Sequence, residues 1–320
     1  MNYGQPTPGR ITTGPAERAQ LLQRWMSRSS QSEDERMDRA QRMVAAAIEA
    51  HPAFDGYRSS IAVYAKGSYA NLTNVRADSD VDVVVENRDL YYFCYVPADI
   101  APSPDPRRAP YQGRWNSEDE WRAEVTAALV NKFGATDVDT SGEVAIAVTE
   151  VPGSRPSADV VPSFEFRRFD TPDRRIVHVG SRVFKKTNGH IDNYPAQQLA
   201  NGRAKDAATG GRYKKYVRAL KNAENHLAAA GVIDDLPSYF MECLVFNVPD
   251  VVMTTGYSLD EGFRATLRYL IVGLYGKSYR EGDWVEPNRL KYLFRGNDKW
   301  SPEDGMFLAY RAWEYLGYAA

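Results

Sequence analysis

The order of apolar and polar positions changes character near residue 190. Before that point, short apolar runs alternate with turn residues. "IAVYA" (61–65), "VDVVVE" (81–86), "VAIAVT" (144–149) and "ADVVPSFEF" (158–166) each read as a strand, and the continuous valines of the second predict burial of most of its side chains. "RRIVHVGSRVFKK" (174–186) reads as a hairpin turning near Gly180-Ser181. Helical patterns are interleaved with these runs. One covers residues 15–28, and a second opens on a Ser32/Glu35 capping box and continues to about Ala50. A third follows Ser117, where Glu120 completes another box and Trp121, Val125 and Leu129 recur every four residues. Residues 1–14 read as frayed, and 97–116, with five prolines, as a surface loop.

Beyond residue 190 the strand signals fade. Helices are predicted over 211–231, which Gly231 can stop in a left-handed conformation, and over 236–248, with Pro237 in the first turn. Two more follow, at 258–276, opened by a Ser258/Glu261 box, and at 301–317. The pattern therefore predicts an α+β chain, a mixed lobe over residues 1–190 followed by a helical lobe over 191–320, with the first helices bracing both.

Composition narrows the chemistry only slightly. The 320 residues carry a net charge of −2, with 43% hydrophobic and 26% charged positions, as in ordinary folded proteins. No global charge argues for a nucleic-acid or membrane partner. The two cysteines, Cys94 and Cys243, and the four histidines show no metal-ligand spacing, which fits a reducing cytosol and argues against structural zinc. No signal peptide or membrane-length apolar run is evident.

The informative stretch is "GSYANLTNVRADSDVDVVV" (67–85). Residues two apart on a strand share a face, so Asp80 and Asp82 project together while Val81 and Val83 face the core. Adjacent carboxylates repel, and a hard divalent cation such as Mg²⁺ relieves them. The Gly67-Ser68 turn offers backbone N–H groups and a hydroxyl to a phosphate. Each part alone reads as an ordinary turn or N-cap. Together they read as a nucleoside triphosphate–Mg²⁺ site.

This stretch resembles the signature of the polymerase-beta-like nucleotidyltransferases. The resemblance implies a palm with a mixed sheet and an active-site cleft between it and the helical lobe. It also implies a third carboxylate on a neighbouring strand, a position taken here by Asp159 of "SADVVPSFEF". In that superfamily the three carboxylates (here Asp80, Asp82 and Asp159) hold two Mg²⁺ ions, for which Mn²⁺ can substitute. One ion activates a ribose hydroxyl and the other holds the triphosphate.

The second half resembles the cGAS/DncV-like nucleotidyltransferases (CD-NTases), most strongly clade E. "YKKYVRALKNAENHL" (213–227) matches the helix whose lysine contacts the triphosphate, a role that falls on Lys221. "PSYFMECLVFNVPD" (237–250) matches the helix start whose serine contacts phosphate and whose aromatic stacks on the base, here Ser238 and Tyr239. "NYP" (193–195) puts Asn193 where clade E enzymes read the donor base and favour uracil. An amide, with one donor group and one acceptor, suits a uracil edge. The implied activity is synthesis of cyclic UMP-AMP or cyclic di-UMP from UTP and ATP by two successive transfers, in cytoplasmic antiphage (CBASS) signalling. The implied partners are an effector that binds the product and a protein that conjugates the C-terminal "GYAA". The DNA-sensing zinc insertion of animal relatives has no counterpart here, so no DNA activator is expected. "SFEF" (163–166) and "AQQ" (196–198) vary within the clade, which bears on the second base. A transferase adding NMP to RNA, a small molecule or a protein, and a catalytically silent nucleotide-binding scaffold, are the alternatives. The basic run 167–186 reads as a solvated hairpin more readily than as a surface that steers nucleotides.

Overall fold

A computed structural model describes residues 14–28, 32–75, 80–96, 107–171, 173–281, 284–295 and 299–318. In chain order the helices and strands are α1 (Pro15–Met26), α2 (Ser32–Ala50), β1 (Ile61–Ala65), α3 (Gly67–Ala70), β2 (Val81–Tyr95), β3 (Arg107–Arg108), α4 (Glu118–Phe133), β4 (Val138–Asp139), β5 (Ile146–Val148), β6 (Ala158–Phe169), β7 (Val177–Phe184), β8 (His190–Asn193), α5 (Pro195–Ala208), α6 (Arg212–Ala229), α7 (Ser238–Phe246), α8 (Asp250–Met253), α9 (Leu259–Tyr275), α10 (Ser278–Glu281) and α11 (Pro302–Tyr315). Of the described residues, 32–70 and 80–196 form one compact unit, and 14–28, 71–75 and 197–318 form another.

The first unit is built on a mixed sheet. β1 runs antiparallel to β2, and β2 runs parallel to β6. β6 carries β5 and then β4 along its first residues, and β7 and then β8 along its last. Val81, Val83 and Val85 are fully buried on one face of β2, and Trp121 of α4 donates its indole N–H to the Val85 carbonyl at 3.4 Å. Trp121 also packs against Phe54, Trp115 and Phe164 in one aromatic cluster. Burying these rings, with Val125 and Leu129 of the same helix, holds α4 to the sheet.

Several local expectations change. The valine run is only the start of β2, a strand of 15 residues that continues through the tyrosines to Tyr95. Its pairing with β6 shifts between Asn87 and Tyr91, where the Asn87 carboxamide oxygen accepts from the Asp89 and Leu90 amides. Gly180-Ser181 is not a turn. β7 runs straight through both, because the glycine serves packing: a Cβ at 180 would collide with the Asn193 carbonyl oxygen and lie 2.8 Å from the Tyr194 ring. Glu120 reaches the Asn116 amide rather than that of Ser117, so the box before α4 is only half formed. The basic run is not a solvated face throughout. Arg168 and Arg182 are 4% and 2% exposed and paired with Asp170 and Asp192. The frayed start, the Ser32 cap side chain and residues 97–106 of the predicted loop lie outside the described residues.

The helical unit has one hydrophobic core. α1 contributes Leu21, Leu22, Trp25 and Met26, packed with residues of α6, α7, α9 and α11. α6 is central to it, with eleven buried residues along one amphipathic helix, and Gly231 beyond its end takes φ 68° as expected. The Ser258/Glu261 box is complete, and Pro237 sits at the N-cap of α7 rather than inside the helix. α5, unread in the sequence pattern, begins at Pro195. Among the described residues no helix is long and apolar enough to cross a membrane.

Candidate functional site

The sheet unit assembles its carboxylates through register. Asp82 of β2 pairs directly with Asp159 of the parallel strand β6, so their side chains share one face. Asp80 is exposed, one residue ahead of β2. Burial is the main cause that raises the Asp82 pKa; Lys66 opposes it and Asp80 adds to it. Asp159 is pushed up to about 6 by burial and by the charges of Asp80 and Asp82, against Lys66. Lys66 is thus the cation that acts on both of these half-buried carboxylates. No sequence motif marks it, although it directly precedes Gly67.

The Gly67-Ser68 turn is tied to the same strand. The Lys66 amide donates to the Asp82 carbonyl at 2.9 Å, and Gly67 takes φ 74° at the start of α3. A Cβ at Gly67 would overlap the Asp82 carboxylate. Glycine is therefore required by the carboxylate as much as by any phosphate.

The donor set suits a hard divalent cation, which would relieve Asp82 and Asp159, the two carboxylates that resist ionising, of each other's charge and that of Asp80. Among the described residues, no three His, Cys, Asp or Glu side chains stand close enough together to enclose a metal ion without moving. The carboxylates are coupled through charge rather than through a closed coordination shell.

Asn193 lies on the same face. Along β6 the side chains of Asp159, Val161, Ser163 and Glu165 alternate onto it; Glu165 pairs with Ser181 of β7, and Ser181 pairs with Asn193 of β8. Asn193 ends β8 before Tyr194 and Pro195, with its carbonyl packed on Gly180. One sheet face therefore carries the carboxylates at one end and the amide at the other.

The remaining predicted residues belong to the helical unit. Lys221 is 2% exposed, and its ammonium donates to Thr73 Oγ1 at 3.2 Å. Thr73 in turn donates to Glu242 at 3.3 Å, and Gln198 donates to the other oxygen of Glu242 at 2.9 Å. Burial lowers the Lys221 pKa and Glu242 opposes that shift. The amino group thus faces the segment that follows the Gly-Ser turn, not solvent. Ser238 is exposed at the first position of α7. Tyr239 is half-buried; its hydroxyl donates to Glu286 at 3.2 Å and its ring meets Trp300 edge-on at 6.3 Å.

Known proteins match the chain in sequence and fold. Residues 200–317 match the family model of the cGAS/DncV-like nucleotidyltransferase C-terminal helical domain. The chain is 32% identical over 299 residues to a cyclic dipyrimidine nucleotide synthase CdnE of Legionella pneumophila, covering 93% of this chain and 97% of that one. It is also 32% identical to a cyclic dipurine nucleotide synthase of Elizabethkingia meningoseptica, covering 93% and 98%. The solved CdnE c-UMP-AMP synthase of Rhodothermus marinus, bound to Apcpp and Upnpp, superposes with a TM-score of 0.74 at 26% identity, covering 94% and 97%. With a carboxylate-bearing mixed sheet, a matching helical domain and near full-length relatives, the chain belongs to the CdnE group of the cGAS/DncV-like nucleotidyltransferases, enzymes that synthesise cyclic dinucleotides.

Proposed function

We propose that this enzyme joins nucleoside triphosphates, at least one of them UTP, into a cyclic dinucleotide, with cyclic UMP-AMP or cyclic di-UMP as product. The observation that carries this reading is the placement of Asn193 on the face that bears Asp82 and Asp159. A site that hydrogen-bonds one base edge leaves its polar groups unpaired with another, which is how a single amide can select a base. Overall similarity does not decide the matter, because a dipyrimidine and a dipurine synthase are equally similar to this chain.

In this mechanism Asp80, Asp82 and Asp159 would hold Mg²⁺, which supplies charge neutralisation for the triphosphate and activation of the attacking hydroxyl. The Gly67-Ser68 turn presents N–H groups and a hydroxyl to the phosphates, and Ser238 does the same at the α7 N-terminus. Lys221 serves the triphosphate by leaving Thr73, and Tyr239, its hydroxyl anchored by Glu286, offers its ring to a base. Attack of a ribose hydroxyl on an α-phosphate breaks the α–β anhydride, releases pyrophosphate and forms a linear dinucleotide, and a second attack closes it with loss of a second pyrophosphate. A role in cytoplasmic antiphage signalling, with a separate effector for the product, completes the reading.

The test is direct. Purified protein with Mg²⁺ and ATP plus labelled UTP should form a phosphatase-resistant dinucleotide that carries the uridine label. A resistant product made only of purines would overturn the base assignment, and a requirement for an added acceptor would overturn cyclisation.

A further inference from the structure

An amide at Asn193 raises a problem that the base assignment leaves open. Its oxygen and nitrogen are nearly the same size, and the group can present either one to a ligand. Turned one way it offers an acceptor, which suits the N3–H of uracil. Turned the other way it offers a donor, which suits the bare N3 of cytosine. The two bases have the same ring size, so pocket shape does not separate them. Something must hold the amide in one sense.

The cross-strand neighbour of Asn193 is Ser181, on the same face of the sheet. Ser181 is 2% exposed, and its hydroxyl completes no hydrogen bond in the structure. A buried hydroxyl in that state needs a partner. The groups around it fix which way its proton points. Glu86 is 3% exposed; one of its oxygens accepts from Arg88 at 2.9 Å and the other from the Tyr64 hydroxyl at 2.9 Å. Tyr64 has therefore spent its proton on Glu86 and offers only an acceptor to its other neighbours. Burial and Glu86 raise the Tyr64 pKa, while the Ser181 hydroxyl opposes them, as a donor facing the phenol oxygen would. Glu165, which pairs with Ser181 across β6, also presents an acceptor, a carboxylate bound to Arg167. Acceptors therefore lie on the β6 side of Ser181. Its proton is drawn there, and its lone pairs are left for Asn193.

We infer that Ser181 is a positioning residue for base choice: its hydroxyl, turned toward Tyr64, accepts from the Asn193 amide nitrogen and leaves the amide oxygen facing the base. The order of donation runs from Asn193 to Ser181 to Tyr64 to Glu86. It selects a base with a ring N–H, uracil, over cytosine. This inference rests on the base-reading role proposed for Asn193 and adds the means by which that role becomes directional.

The experiment is a competition between labelled UTP and CTP at equal concentration, read as the ratio of uridine to cytidine in phosphatase-resistant product. Wild type should favour uridine. Ser181→Ala should bring the ratio toward parity, a loss of about tenfold for one misdirected hydrogen bond. Tyr64→Phe should move it in the same direction but less far, because the serine proton loses one of its two acceptors and keeps Glu165. A ratio unchanged in Ser181→Ala but collapsed in Asn193→Ala would overturn the relay and leave the base-reading role standing. A shift in Ser181→Ala with none in Tyr64→Phe would overturn the Tyr64 step. Absence of uridine from the wild-type product, or no effect of Asn193→Ala, would remove the base-reading role and the relay with it.

Discussion

At the scale of single residues, the carboxylate site works against the stability of the fold that carries it. Asp159 titrates near 6 because burial and two neighbouring carboxylates disfavour its charge. Its pKa is raised on folding, so the folded chain binds more protons than the unfolded one between about pH 4 and pH 6. Stability therefore falls as pH rises through that window, and the penalty is complete above it. Asp159→Asn removes the penalty. In EDTA at pH 7.5 the variant should be more stable than wild type by about 1 kcal/mol, once solvent screening at a half-exposed site is allowed for. The advantage should vanish at pH 3.5. Thermal unfolding at the two pH values measures both, and an equal effect at each would show that charge is not the cause. Gly67 tells a similar story, since the Asp82 carboxylate occupies the place where its side chain would be.

At the scale of elements, α6 organises more than its own core. Arg218, 5% exposed, donates twice to the Met26 carbonyl, at 2.8 and 2.6 Å, and once to the Leu72 carbonyl at 2.7 Å. It thereby ties the end of α1 to the segment that follows the Gly-Ser turn. Leu72 holds a left-handed φ of 56°, a conformation that disfavours a branched side chain by about 1–2 kcal/mol. The guanidinium on its carbonyl helps to keep it there. Arg218→Met should lower stability by about 2–4 kcal/mol in urea unfolding, because buried carbonyls lose charged donors. Arg218→Lys should recover less than half of the loss, since one ammonium cannot span carbonyls that a planar fork can. Full recovery by lysine would mean that charge alone matters there. Sequence reading found α6 and its C-terminal glycine from periodicity, but nothing local to "RALK" shows that Arg218 and Lys221 turn inward onto residues almost 150 positions earlier.

At the scale of the whole molecule, ligand binding should be visible as stability. Mg²⁺ with a non-hydrolysable UTP analogue at about 100 times its Kd should stabilise the protein by about 2.7 kcal/mol. EDTA should erase that gain together with turnover, and Asp82→Asn should erase the gain without lowering Tm in EDTA. A full thermal shift retained by Asp82→Asn would remove that residue from the metal site. The amino-acid sequence by itself determined what depends on near neighbours. A Gly-Ser pair at a strand end, carboxylates spaced for one strand face, the Ser258/Glu261 box and the helical repeat of α6 all arise from steric rules that act over a few residues. Tertiary structure decided the rest. It set Asp159 beside Asp82, carried Asn193 onto their face through two further strand pairings, made Gly180 a packing contact rather than a turn, and buried Lys221 against Thr73. The physical reason is that strand register and burial are fixed by partners distant in the chain, whose packing energy outweighs any preference a short stretch holds alone.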